Sequence, residues 1–221
     1  MTDADAAIDE AVDNDVLLKA LRLDCAAIFW PSLTSIGVLG TARFVIRDRI
    51  KRGKLIDADP SMEYRAAALF DALCELEPTS DELDLANELE REAQRMALPL
   101  DAGESQLCAI VVERGLALLA TGDKRAIESL EKMRGAAPWL DKLAGRIRCL
   151  EQLVAAAVAD PGVFAELCRR VCADTSVDRT LSICFGCLGG SSPSSADVAA
   201  CLGSYIKAVR ASAPTLLLRS S

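Results

Sequence analysis

Apolar and polar residues recur along the chain with the periods of helices and short strands. An apolar cluster at residues 16–23 directly follows the acidic Asp13-Asn14-Asp15, a pattern typical of a turn from a strand into a helix. The strand before it, at residues 8–12, is only weakly indicated. Residues 36–50 predict a helix with a basic flank, ended by Gly53.

The next part of the chain predicts a helical hairpin. Residues 62–76 and 81–96 alternate apolar and charged positions at helical spacing. Pro78-Thr79 lies between them and combines a helix stop with an N-cap. Thr79 and Glu82 further have the spacing of a capping box.

From residue 100 the pattern changes to a βαβ-like unit. Asp101 caps a helix over residues 102–114, Gly115 ends that helix, and residues 116–120 predict a short apolar strand. Strands separated by helices imply a parallel sheet that is covered on both faces. The sequence therefore predicts an α/β fold.

The same pattern continues to residue 150 and then stops. Thr121-Gly122-Asp123 turns into a helix over residues 124–133, and residues 146–150 predict another strand. Beyond Glu151 the sequence predicts helices only, with breaks at Asp160-Pro161-Gly162 and at residues 189–195. We therefore expect one domain over residues 1–150 and a helical extension with a cysteine cluster over residues 151–221.

Composition excludes several classes of protein. No apolar run reaches the ~18–20 residues of a membrane helix, and the acidic N-terminus lacks the pattern of a secretory signal. We expect a cytoplasmic protein with no membrane partner. With no His in the chain, Ser-His-Asp and Cys-His nucleophiles are excluded.

Charge is uneven along the chain. The net charge of −8 argues against a broad basic surface for nucleic acid. Six basic residues nevertheless crowd residues 43–54, where only Asp48 opposes them. Two interpretations stay open, a solvated helix face or a local patch that contacts phosphates.

Three carboxylates are placed to meet at one edge of the predicted sheet. Asp13 and Asp123 follow strands, and Glu104 lies in the first turn of the helix before the Asp123 strand. Clustered carboxylates repel unless a cation neutralises them, and Mg²⁺ or Mn²⁺ prefers oxygen ligands. The alternative is structural, because Asp101 and Glu104 fit a capping box and Asp123 fits an N-cap.

Three segments resemble the PIN-domain metal-dependent nucleases. Residues 100–115 (LDAGESQLCAIVVERG), 118–125 (LLATGDKR) and 13–18 (DNDVLL) are similar to the family's motifs, in order and spacing, over residues 8–150. The resemblance implies a three-layer α/β/α sandwich and an endoribonuclease in which metal-activated water attacks an RNA phosphodiester, DNA not being excluded. It also implies a toxin–antitoxin or defence setting, with a cognate antitoxin, another protein or a homodimer as partner.

The resemblance assigns roles to individual residues. Asp13, Glu104 and Asp123 become the first, third and fourth metal-binding acids, with Thr121 as a polar neighbour. The family's second acid is missing from residues 40–46 (GTARFVI), where Arg43 is the nearest polar residue. Four acidic residues are candidates to compensate, namely Asp15, Asp48, Glu63 and Asp101.

Because the second acid is missing, two functions stay open. For a nuclease, we expect the basic 43–54 segment with Arg43, or Lys124 and Arg125, to hold substrate phosphates. The rival is a non-catalytic PIN-like module that binds protein or RNA. A carboxylate that reaches the site from elsewhere favours the enzyme, and pairing of Arg43 with Asp13 or Asp123 favours the module.

Cysteines form a second cluster of candidate ligands. Cys168, Cys172, Cys184 and Cys187 lie in two close pairs that suit a structural Zn²⁺ site. The competing interpretation is that small apolar thiols fill a helical core. In either case we expect the nine cysteines to be reduced, not paired in disulfides.

Overall fold

A computed structural model describes residues 8–53, 59, 61–189 and 192–219 of the chain. Within these residues, five strands form one sheet in the order β3-β2-β1-β4-β5, and every neighbouring pair is parallel. The strands are β1 (Glu10–Val12), β2 (Ile36–Leu39), β3 (Cys74–Leu76), β4 (Leu118–Thr121) and β5 (Ile147–Cys149). The predicted parallel α/β fold is therefore confirmed.

Helices connect the strands and cover the sheet. In the described residues they are α1 (Asn14–Arg22), α2 (Ala26–Phe29), α3 (Ala42–Arg52), α4 (Met62–Ala72), α5 (Ser80–Arg95), α6 (Ala102–Arg114), α7 (Lys124–Met133), α8 (Leu150–Val158), α9 (Pro161–Ala173), α10 (Arg179–Cys184) and α11 (Ser195–Ser212). Short 3-10 turns occupy Leu33–Ser35 and Pro138–Leu143. No helix in the described ranges is long and apolar enough to cross a membrane.

The sheet separates two hydrophobic clusters. Successive side chains of a strand point to opposite faces, so Val12 packs with one cluster and its neighbour Ala11 with the other. The first cluster contains Leu17 of α1 and Ile46 of α3, and the second contains Ile110 of α6. Helices thus bury both faces of the sheet, as in a three-layer α/β/α arrangement.

Two strands lie where the sequence predicted helices. Residues 36–39 form β2, not the start of a helix, and residues 74–76 form β3, which replaces the end of the first hairpin helix. β2 is buried along its whole length, because helices cover both faces of the sheet. A short apolar run of this kind has no alternation that distinguishes a strand from a buried helix.

The C-terminal helices pack against the sheet domain. Leu202 of α11 belongs to the first cluster, and Leu216 beyond α11 belongs to the second. Leu217 then forms a parallel bridge with Ile147 of β5, where the Leu218 N–H donates to the Ile147 carbonyl at 2.7 Å. Among the sequence features discussed above, residues 1–7 of the acidic N-terminus, Lys54 and part of the loop at 189–195 lie outside the described residues.

Candidate functional site

A cleft of about 720 Å³ opens at the carboxyl ends of β1 and β4. It is lined by the β1–α1 and β4–α7 turns, by one side of α3 and by the start of α6. Its acidic lining residues are Asp13, Asp15, Asp101, Glu104 and Asp123. The structure therefore brings all three acids of the predicted metal site to one place.

Asp13 ends β1 and begins α1. Its Oδ1 accepts the Asn14 N–H at 2.7 Å, and its Oδ2 lies 3.5 Å from the Thr121 hydroxyl of β4. Burial raises the pKa of Asp13 to about 6, and the negative charges of Asp101 and Asp15 act in the same direction. A cation in the cleft would offset both the burial of the Asp13 charge and its repulsion by Asp101 and Asp15.

Glu104 lies in the first turn of α6, where it is buried and forms the predicted capping box with Asp101. The Glu104 Oε2 accepts the Asp101 N–H at 2.9 Å, and the Asp101 Oδ1 accepts the Glu104 N–H at 2.8 Å. Burial raises the pKa of Glu104 to about 8, with further contributions from the charges of Asp101, Asp13 and Asp123. Glu104 therefore has a structural role in the capping box and also lines the cleft.

Asp123 caps α7 and is held by its own neighbour. Its Oδ1 accepts the Arg125 N–H at 2.8 Å, and its Oδ2 lies 2.9 Å from Arg125 Nη2. Burial alone would raise the pKa of Asp123, but the hydrogen bonds from Arg125 and from the backbone outweigh it and lower the pKa. The Asp123 N–H donates to the Thr121 hydroxyl at 3.2 Å, so Thr121 links Asp123 to Asp13.

Gly122 brings the two turns into close contact. A Cβ atom at this position would lie 2.3 Å from Asp15 Oδ2. Asp15 is itself paired with Lys19 at 2.8 Å, and Lys19 also pairs with Asp178 at 2.9 Å. The glycine therefore lets the Asp123 turn approach α1.

No carboxylate of α3 lines the cleft among the described residues. The lining positions at the start of α3 and along it are Thr41, Val45 and Arg49. Of the candidates to replace the second acid, Asp101 and Asp15 line the cleft. The other two do not, since Asp48 pairs with Arg52 and Glu63 lines a separate groove.

Arg43 does not bind the site acids. It pairs with Asp71 at 3.3 Å and approaches Glu75 at 3.9 Å, and its guanidinium lies over the ring of Phe70. The pairing of Arg43 with Asp13 or Asp123 that was expected of a binding module is absent from these contacts. Arg43 also does not line the acidic cleft, which it was predicted to serve as a phosphate ligand.

Lys124 and Arg125, which were also predicted to hold phosphates, are occupied by internal contacts. Lys124 pairs with the buried carboxylate of Glu151 and lies over the ring of Tyr205, 5.4 Å from its centroid. Arg125 pairs with Asp123. Arg49 belongs to the basic 43–54 segment that was predicted to hold phosphates, and it lines the cleft. The four-residue spacing of Thr41, Val45 and Arg49 places them on the same side of α3.

The donors of the cleft have the chemistry of a site for a hard divalent cation. Carboxylate oxygens are the preferred ligands of Mg²⁺ and Mn²⁺, and a cation would relieve the repulsion among Asp13, Glu104 and Asp101. In the part of the chain that the structure describes, however, no three Asp, Glu or Cys side chains are arranged as they stand to hold an ion. At Asp123, Arg125 binds both carboxylate oxygens.

Four cysteines of the C-terminal helices form disulfides. Cys172 pairs with Cys187, and Cys184 pairs with Cys201, while Cys168 is free. The expectation of reduced thiols is wrong for these four residues, because the packing of α9, α10 and α11 brings their sulfurs together. A sulfur in a disulfide is not a thiolate ligand, so the structure does not assemble the predicted zinc set of Cys168, Cys172, Cys184 and Cys187.

Comparisons of the chain with protein-family models, with curated proteins and with solved structures found no match.

Proposed function

We propose that this chain is a PIN-like, Mg²⁺- or Mn²⁺-dependent endoribonuclease. One observation carries the proposal: Asp13 and Glu104, two buried carboxyl groups with raised pKa values, line one cleft together with Asp123 and Asp101. Perturbed carboxyl groups that share a cleft are typical of functional sites. If these acids served only to cap helices, there would be no reason for them to line the same cleft.

Each acid has a role in this proposal. Asp13, Glu104 and Asp123 would hold the cation, and Asp101 would supply the charge of the missing second acid. A bound Mg²⁺ or Mn²⁺ would activate water and stabilise the charge that grows on an attacked phosphodiester. Arg49, which lines the same cleft, would hold a substrate phosphate.

Residues around the acids would support these roles. The Thr121 hydroxyl lies between Asp13 and Asp123 and would keep their relative placement. The capping box would hold Glu104 in its orientation when its proton is lost, because the Asp101 N–H continues to donate to it. The resemblance of three segments to PIN nucleases supports the same function, with RNA as substrate and a cognate antitoxin or a second copy as partner.

A non-catalytic binding module is the second candidate. Arg125 neutralises Asp123, and no α3 carboxylate lines the cleft in the described ranges. Both features would weaken a metal site. Asp101 in the cleft and the pairing of Arg43 with Asp71 favour the enzyme over this candidate.

The test compares two aspartates that both cap helices. Asp123→Asn should reduce metal-dependent RNA cleavage by more than about 100-fold, because a metal-binding role needs the charge. Asn caps a helix as well as Asp does, so the thermal stability should change little. Asp160→Asn is the matched control, since Asp160 is exposed and caps α9 through the Gly162 N–H at 2.8 Å.

Cleavage should be measured on single-stranded and structured RNA with Mg²⁺, with Mn²⁺ and with EDTA. Wild-type protein that never cleaves RNA or DNA with either metal would replace this proposal with the binding module. Normal cleavage by Asp123→Asn would leave an enzyme but would remove Asp123 from its metal site.

A further inference from the structure

A second groove lies on the opposite side of α3 from the acidic cleft. It has a volume of about 330 Å³ and is formed by α3 and α4, with Arg43, Arg47 and Phe70 among its lining residues. Val45 and Arg49 of the same helix face the cleft. A single helix therefore separates the groove from the candidate catalytic acids.

Two aromatic side chains stand exposed beside this groove. Phe44 of α3 is 73% exposed and Tyr64 of α4 is 79% exposed. A helix turns by about 100° per residue, which puts Phe44 on the outer side of α3, between its groove-facing and cleft-facing positions. Neither ring is needed for the core, so both are available for stacking.

Several basic residues lie on α3 near Phe44. Arg47, Arg49 and Lys51 are exposed, and the described residues provide no ion-pair partner for any of them. Arg43 and Arg52 are partly neutralised by Asp71 and Asp48. On a chain of net charge −8, this face of α3 is thus a local basic surface that is complementary to phosphates.

We propose that the exposed face of α3 and α4 binds single-stranded nucleic acid. Bases stack on Phe44 and Tyr64, and backbone phosphates lie beside Arg47 and Lys51. Stacking on a protein ring requires an unpaired base, so the surface discriminates against duplexes. We further infer that the bound strand continues over α3 into the acidic cleft, and this part rests on the proposed nuclease function. The binding of single strands to the surface does not depend on that function.

Binding is measured in EDTA, so that cleavage plays no part. Fluorescein-labelled 20-mers of uridine and adenosine, and an RNA duplex of equal length, are titrated with the full-length protein and followed by fluorescence anisotropy. Phe44→Ala and Tyr64→Ala should each weaken single-strand binding by about fivefold or more, the effect of losing one base stack. Phe44→Tyr should bind like the wild type, because it keeps a stacking ring.

Two matched controls separate this surface from general effects. Leu188→Ala removes a side chain that is 77% exposed in the turn after α10. Arg91→Ala removes an exposed charge from α5, which packs on the other face of the sheet. Both should bind as the wild type does, whereas Arg47→Ala should lower the slope of log Kd against log salt concentration by about 0.7.

The outcomes separate the surface from the nuclease. The proposed surface is overturned if Phe44→Ala and Tyr64→Ala bind single strands as the wild type does. It is also overturned if the wild type binds duplex and single-stranded RNA with equal affinity. Both conclusions hold even if the wild type cleaves RNA. Loss of a dimer in those variants by sedimentation, without a loss of RNA affinity, assigns the face to a second copy and also overturns it. Single-strand binding that depends on both rings, by a protein that never cleaves, supports the surface and refutes the nuclease.

Discussion

The guanidinium of Arg125 lies on the carboxylate of Asp123, with Nη2 2.9 Å from Oδ2 and Nε 3.3 Å from Oδ1. Both residues belong to the turn that starts α7. The arginine therefore supplies positive charge at an acid of the candidate metal site. A divalent cation that used the Asp123 oxygens would have to displace it.

Arg125→Ala should tighten Mn²⁺ binding. The Arg125 side chain is 76% exposed, so solvent screens its ion pair with Asp123 and the expected gain in Mn²⁺ affinity is about fivefold or less. Isothermal titration calorimetry of both proteins checks this. Arg91→Ala controls for the loss of a positive charge. Weaker Mn²⁺ binding by Arg125→Ala would mean that Arg125 supports the site.

The metal-free protein should lose stability as the pH rises from about 4.5 to about 8. Folding raises the pKa of Glu104 from its ordinary 4.5 to about 8, so in this window the folded state holds a proton that the unfolded state lacks. The contribution is complete below pH 4.5 and is lost as the pH passes the folded pKa. Its size is on the order of a few kcal/mol.

Glu104→Gln should remove most of this slope and stabilise the metal-free protein at pH 8. Gln keeps a side-chain oxygen for the capping box with Asp101, so the variant is expected to fold. Urea unfolding in EDTA at pH 5, 6.5 and 8 measures the free energy of unfolding. An unchanged slope in the variant would show that Glu104 is ionised in the folded protein at pH 7.

Five thiols should react in the unfolded, unreduced protein. The structure assigns four of the nine cysteines to disulfides and leaves five free. A thiol count in denaturant, without reductant, measures this directly. Nine reactive thiols together with stoichiometric zinc would restore the predicted zinc site. Because disulfides are rare in a reducing cytosol, five thiols in protein purified without reductant would also count against the expected cytoplasmic location.

Reduction of the protein should lower its thermal stability. A disulfide that closes a loop of about 15 residues stabilises a fold by about 3 kcal/mol, and Cys172 and Cys187 are 15 residues apart. The double substitution Cys172→Ser and Cys187→Ser should reproduce part of the loss. Cys168→Ser, at a free cysteine of α9, is the control and should change the melting temperature little.

Gly122→Ala should disturb the cleft more than Gly135→Ala, a substitution at an exposed glycine. The added Cβ would displace Asp15 and break its ion pair with Lys19, at a cost of about 1 kcal/mol. Gly135→Ala is the control, since no atom lies within 4 Å of its added Cβ. Equal melting temperatures and equal Mn²⁺ affinities for the two variants would show that the turn adjusts freely.

Local features of this fold could be predicted from the sequence. The capping boxes of Thr79 with Glu82 and of Asp101 with Glu104 were predicted and are present, as are the helices over residues 102–114 and 124–133. These features depend on residues three or four positions apart, so a single segment contains all that they require. The turn positions of the acids followed from the same local signals.

Long-range relationships were decided only by the tertiary structure. β2 and β3 exist as strands because neighbouring strands supply their hydrogen bonds. The apolar run at residues 36–39 does not by itself indicate that such partners exist. Cys201 becomes the partner of Cys184 through the packing of α10 against α11, and Arg49 reaches the acidic cleft through the packing of α3. Sequence alone determined where acids follow strands; only folding determined which charges and sulfurs meet, because those contacts join segments far apart in the chain.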